Sequence, residues 1–141
     1  MNDVLVNKIQ SIQRCVERAR EVYAKNQAVF LEDYDAQDAA VLNILRACEQ
    51  AIALANHMLR LYKMGVPTSS SESFELLLRK HVINGEQFQR LKGMVGFRNS
   101  VVHAYQKIDY AVVVGVIATG LDDLVAFADT VMDYVESRPP A

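Results

Sequence analysis

The stretch Tyr110–Leu121, YAVVVGVIATGL, decides the fold. Three consecutive β-branched residues, Val112, Val113 and Val114, would favour a strand. A strand needs a partner, and no other segment alternates apolar and polar residues in a way that could pair with it. Read helically, the run opens a stripe of Val113, Ile117, Leu121 or Leu124, Ala128, Val131 and Val135, spaced by threes and fours. Asp109 is placed to cap it and Pro139-Pro140 to end it, so the sequence predicts a helix over about Tyr110 to Ser137. The apolar run itself is bounded by Asp109 and by Asp122-Asp123, well short of the roughly 20 residues a membrane span needs. No membrane association is expected, nor is a signal peptide, because Asp3 and Asn7 interrupt the first apolar residues.

The pattern extends upstream. Leu5, Ile9, Ile12, Val16, Ala19 and Tyr23 form one stripe of a first helix, from an Asn2 or Asp3 cap to about Gln27. An acidic connector, Glu32 to Asp35, leads to a long second helix from about Ala36 to Met64, stopped by Gly65 and Pro67. Ser69 with Glu72 fits a capping box for a third helix from about Ser71 to His81, with Phe74, Leu77 and Leu78 inward. Asn84 caps a fourth, carrying Phe88, Leu91, Met94 or Val95, Arg98, Val102 and Tyr105 on its inner stripe. Gly93 and Gly96 each cost that helix about 1 kcal/mol in propensity, which suggests close approach by a neighbouring helix or a ligand. The expectation is an all-α, up-and-down bundle of about five helices forming one domain over residues 1–141.

With 51% hydrophobic and 23% charged residues, the chain has the composition of a soluble globular protein, not of a disordered or fibrous one. Cys15 and Cys48 sit in helical patterns with no CxxC partner and read as small buried hydrophobes in a reduced cytoplasm. The net charge of −2 is not that of a strong nucleic-acid binder. Its distribution is uneven. Residues 79–107 hold six basic side chains against Glu86 alone, a balance of +5, whereas residues 108–141 carry −5. One segment could attract an anion even though the whole chain would not.

The usual catalytic signatures are missing: no Gly-rich phosphate loop, no HExxH, no nucleophile elbow. His57, His81 and His103 are too far apart in sequence to read as a metal set, so neither metal nor cofactor is expected. His57 is expected to be partly buried or at an interface. His81 is expected to end the third helix, near the negative end of its dipole. The chemistry-bearing stretch is Gly96 to Tyr105, where Arg98, Asn99, His103 and Tyr105 interrupt an apolar helix end. On a continuous helix Arg98 and His103 lie about 7.5 Å apart along the axis and about 140° apart around it. They flank a face without touching, and a second copy of the helix would complete the cleft. Taken alone, the pair could equally be interhelical hydrogen-bonders.

Arg98-x4-His103-x-Tyr105 resembles the RX4HXY signature of the HepT-like toxins in the HEPN superfamily, and Asn99 fits the polar residue that follows the Arg there. The motif's place near the end of the penultimate long helix is similar too, so the resemblance covers the whole domain. It implies a homodimer that cuts RNA without a metal at a composite site between two motifs. Arg98 would hold the scissile phosphate, His103 would act as general base or acid, and Asn99 would orient a reacting group. It also implies a neighbouring MNT-type nucleotidyltransferase antitoxin that silences the toxin by transferring AMP to Tyr105, in the cytoplasm. The alternative within the same superfamily is a non-catalytic nucleotide- or partner-binding subunit of a nucleotidyltransferase pair. A helical scaffold with no small-molecule site is the third possibility.

Overall fold

The computed structural model describes residues 2–140 apart from the side chain of Tyr105. Helix α1 spans Asp3–Lys25, α2 Tyr34–Leu61, α3 Ser70–Arg79 and α4 Gly85–Ala104. The last, α5, runs continuously over Tyr110–Ser137. Short 3-10 turns at Gln27–Val29 and Tyr105–Lys107 join α1 to α2 and α4 to α5. Among the described residues there is no strand, so the valine run is helical.

Each start has a local cause. Asn2 Oδ1 accepts from the Val4 N–H at 2.7 Å and Asp33 Oδ1 from the Ala36 N–H at 3.1 Å, so α2 begins at Tyr34, two residues earlier than expected. Asn84 and Gln87 cap reciprocally, Asn84 Oδ1 accepting from the Gln87 N–H and Gln87 Oε1 from the Asn84 N–H. At α3, Ser69 Oγ accepts from the Glu72 N–H as a capping box requires, but Glu72 reaches one residue further back, to the Thr68 N–H and hydroxyl. Helix α2 ends with Lys63 and Gly65 at positive φ (53° and 118°), the left-handed conformation that turns the chain out of a helix.

The seam between α1 and α2 is the most extensive helix pair, and the short connection makes the two antiparallel. Helix α3 packs on α2 and α4, and α5 lies against α1, α2 and α4. The α5 stripe is buried as expected, with Leu121 and Leu124 both inside and Phe127 added to it. Phe127 meets Phe74 of α3 edge to face at 5.3 Å, and Tyr134 meets Tyr62, the residue that ends α2, at 5.1 Å. Fully burying a side chain of this size contributes about 1.5–3 kcal/mol. By length and composition α5 is apolar enough to cross a membrane. Here its apolar stripe lies in the bundle core, while Asp122, Asp129, Asp133 and Glu136 stand exposed on the other side.

Within α5, Val116–Gly120 form a π-turn, the Leu121 N–H reaching back five residues to the Val116 carbonyl. The Thr119 hydroxyl donates to the Gly115 carbonyl at 3.0 Å. Gly120 sits where a Cβ would come 2.9 Å from Met94 Sδ, so this is where α5 and α4 approach closely. The glycines expected to mark such an approach, Gly93 and Gly96, have nothing within 4 Å of a built Cβ and are exposed. No described residue presses on them. The inner stripe of α4 also differs: Val101 is buried and Val102 is 55% exposed. Both fit the helical spacing, Val101 two turns on from buried Met94 and Val102 two turns on from buried Val95, and it is the packing of the helix end that covers Val101 alone.

Candidate active site

Helix α4 is unbroken from Gly85 to Ala104, so the five-residue step between Arg98 and His103 has the helical geometry expected of it. The Arg98 side chain is only 20% exposed and turns inward to α2 and α3. Its Nη2 donates to Ser70 Oγ at 2.9 Å. Its Nε lies 3.1 Å from Glu49 Oε1, an ion-pair distance, although the buried Nε–H is not aimed well enough to make a hydrogen bond. Glu49 and Ser70 thus hold the guanidinium from two other helices and leave Nη1 without a partner among the described residues. Neither was singled out in the sequence: Glu49 is one acid on a helix face and Ser70 one of a serine run.

Asn99 and His103 are exposed. His103 stands two residues before the 3-10 turn that follows α4, and among the described residues no hydrogen bond or ion pair ties it to Glu49 or Ser70. The Tyr105 hydroxyl, the expected AMP acceptor, lies outside the described residues. Two grooves flank this helix end. One of about 370 Å³ runs between Phe97, Val101, Ala104, Ile108 and Val112, and one of about 310 Å³ between Val41, Leu42, Val102 and Tyr110. Arg98, Asn99 and His103 line neither. A single chain therefore brings Arg98 to Glu49 and Ser70, and neither of these two grooves holds both Arg98 and His103.

Half of the six basic side chains in the 79–107 segment are paired with carboxylates, two of them with partners on other helices. Arg79 pairs with Glu75 at 2.6 Å, Arg90 with Glu86 and Asp123 at 2.6 and 3.3 Å, and Arg98 with Glu49. Lys80, Lys92 and Lys107 remain exposed. The other histidines lie apart from the motif. His57 is partly buried, with its Nε2 inaccessible and unpartnered, and burial, then Arg60 and Lys8, push its pKa down. His81 falls just beyond α3 at a positive φ of 61°, so it belongs to the turn and not to the last helical residues. Among the described residues, no group of three or more His, Cys, Asp or Glu is arranged to hold a metal ion.

Buried Cys48 adjoins the Arg98 clamp through its neighbour Glu49. Burial, reinforced by Glu49 and opposed by Arg98, pushes its thiol pKa up to about 12. Cys15 and Cys48 are both free and buried, as expected of small core residues.

The sequence profile of the family described as Ribonuclease HepT-like matches residues 12–131. This chain belongs to the HepT-like ribonuclease family. A HepT-like relative, the mRNA nuclease HepT of Shewanella oneidensis, is 40% identical over 131 residues, covering 93% of this chain and 98% of its own. A solved structure of the tri-AMPylated Shewanella oneidensis HEPN toxin in complex with MNT antitoxin superposes with a TM-score of 0.88 at 40% identity, over 94% of this chain and 99% of that one. A toxin–antitoxin complex with AMP-PNP matches at 0.87 and 40% identity, over 93% and 99%. HepT-like membership and the all-helical HEPN architecture, both expected from the RX4HXY stretch and the helix order, therefore hold.

Proposed function

We propose that this chain is the endoribonuclease toxin of a toxin–antitoxin pair, acting as a homodimer whose two α4 helices share one cleft. The observation that carries the reading is the Arg98 and His103 pair of the motif on one continuous helix, with Arg98 preset by Glu49 and Ser70 and His103 exposed. A guanidinium held in place can stabilise charge developing on a phosphoryl oxygen without reorganising at the moment of reaction. His103, exposed and beyond that clamp, is suited to meet an Arg98 brought by a second copy. Leu42, Val102 and Val112, exposed apolar residues lining the two grooves, supply surface that such a dimer would cover.

In this reading His103 removes the proton of an RNA 2′-hydroxyl, whose oxygen attacks the adjacent phosphorus. The bond from phosphorus to the 5′-oxygen breaks, that oxygen takes up a proton, and a 2′,3′-cyclic phosphate remains. Arg98 binds the non-bridging oxygens, and Asn99 orients a reacting group by hydrogen bonding. No step calls on a metal or a cofactor. An MNT-type nucleotidyltransferase antitoxin, the partner of the HEPN toxin in the related complex, would silence the enzyme by placing AMP on Tyr105. A phosphodiester charge two residues from His103 would fill the cleft and occupy its cations. Such a pair works in the cytoplasm, where its RNA substrate is.

The test is RNA cleavage in EDTA by the parent and by His103→Ala, with the intact mass of each recorded first. Cleavage by the parent that is lost in the variant is the expected result. An inactive parent of unmodified mass would overturn the nuclease reading in favour of a non-catalytic companion subunit. An inactive parent heavier by AMP units would locate the block at the modification, and protein made without the antitoxin must then cut.

A further inference from the structure

We propose that the groove between α1 and α2 is a phosphate-binding track that guides single-stranded RNA toward Arg98, an inference that rests on the nuclease reading. The groove, about 580 Å³, is larger than either groove beside the motif. Three arginines line it, Arg14 and Arg18 from α1 and Arg46 from α2, together with Gln50 and Glu49. Arg14 and Arg18, four residues apart, lie on one helix face about 6 Å apart along the axis. Arg46, Glu49 and Gln50 share the facing side of α2 by the same spacing.

These arginines are clustered and largely unpaired. Arg20, Arg79, Arg90 and Arg98 have carboxylate partners, and Arg60 and Arg138, without one among the described residues, are not among the residues that line the groove. Arg14 and Arg46 have none among the described residues, and Arg18 has only Glu21 at 3.5 Å, a pair whose side chains are both more than half exposed and which holds it weakly. The lining carboxylate, Glu49, is the one that contacts Arg98, so its charge is partly spent there. The groove keeps a positive balance in a chain of net charge −2. Guanidinium forks match phosphodiester oxygens geometrically, and Cys15 and Leu45 give the groove apolar surface against which a base can lie. Because Glu49 borders both the groove and Arg98, a strand lying along α1 and α2 would lead to the guanidinium assigned to the scissile phosphate. That continuity favours an RNA strand over an acidic protein surface as the occupant.

The experiment uses full-length protein made without its antitoxin and a fluorescent RNA oligonucleotide with 2′-O-methyl riboses, which cannot be cut. Its affinity is measured by anisotropy across a salt series for the parent, for Arg14→Ala/Arg46→Ala and for Lys25→Ala, an exposed control at the end of α1. Thermal melting checks that each variant folds. The double variant is expected to bind on the order of tenfold more weakly, with a salt slope shallower by about 1.4, while Lys25→Ala follows the parent. A folded double variant that binds with the parent's affinity and slope overturns the track, whether or not the parent cuts RNA. Binding of separately purified antitoxin is measured alongside, and a double variant that keeps its RNA affinity but loses the antitoxin also overturns the track, since the groove then contacts protein. A parent that binds through these arginines yet leaves ordinary RNA intact supports the track and overturns the nuclease reading alone.

Discussion

The two halves of the motif sit in opposite surroundings. Arg98 is drawn into the bundle, with Ser70 at 2.9 Å and Glu49 at 3.1 Å fixing it from two other helices. Five residues on, His103 stands exposed where α4 gives way to a 3-10 turn. The guanidinium is positioned by the fold of one chain, whereas the imidazole is not. In the proposed dimer the site is therefore half preorganised in each monomer and completed by the second copy.

The sharpest way to break this comparison is to remove each half. Arg98→Ala and His103→Ala are each expected to lower metal-free RNA cleavage by about a hundred- to ten-thousandfold. Their stabilities will separate them. Arg98→Ala gives up a partly exposed ion pair and a hydrogen bond, a loss of about 1 kcal/mol in denaturant unfolding. His103→Ala should stay within about 0.5 kcal/mol of the parent, as an exposed residue does. Equal destabilisation by the two would erase the distinction between a clamped and a free half.

Mixing the two inactive variants asks whether the halves belong to different chains. If Arg98 of one copy serves His103 of the other, co-refolded mixed dimers contain one intact pair, and the mixture should recover about a quarter of parent activity. A mixture as dead as its components would place both residues of a working site on the same chain.

Glu49→Gln is a gentler probe of the clamp. It keeps an amide oxygen near Arg98 but removes the negative charge facing both that guanidinium and the arginine groove. Affinity for an uncuttable RNA is expected to rise about two- to fivefold, with little change in melting temperature. Weaker binding would mean that the carboxylate orients Arg98 more than it competes with phosphate.

The smallest effect concerns Cys48. Its thiol pKa is raised from 9.0 to about 12 in the folded chain, so above pH 9.0 the unfolded state releases a proton that the folded state keeps. The stabilisation is whole below pH 9.0 and is lost as pH rises from there toward about 12. Unfolding free energies measured across that window should decline less steeply in Cys48→Ala than in the parent. Identical slopes would show that this thiol has no part in alkaline destabilisation.

Most of the fold was legible because helix formation here follows short-range rules. The caps at Asn2, Ser69, Asn84 and Asp109, the stop at Gly65 and the stripe from Val113 to Val135 all depend on residues within a few positions of one another. Pairing, by contrast, misled. The +5 segment from Arg79 to Lys107 looked like the anion-attracting surface, yet two of its arginines meet Asp123 and Glu49 from other helices. The groove with under-partnered arginines comes instead from α1 and α2, in a part of the chain whose summed charge is negative.

By itself, the sequence determined that the chain is a helical bundle, where its helices begin and end, and which family it joins, since periodicity, capping and an RX4HXY motif are properties of neighbouring residues. Only the tertiary structure decided that Arg98 turns inward to Glu49 and Ser70, that Val101 and not Val102 is buried, and that Gly120 meets Met94 while Gly93 and Gly96 face open space. Those outcomes depend on which helix faces come to lie together. Packing settles that by burying the most apolar surface at once, and no local pattern encodes it.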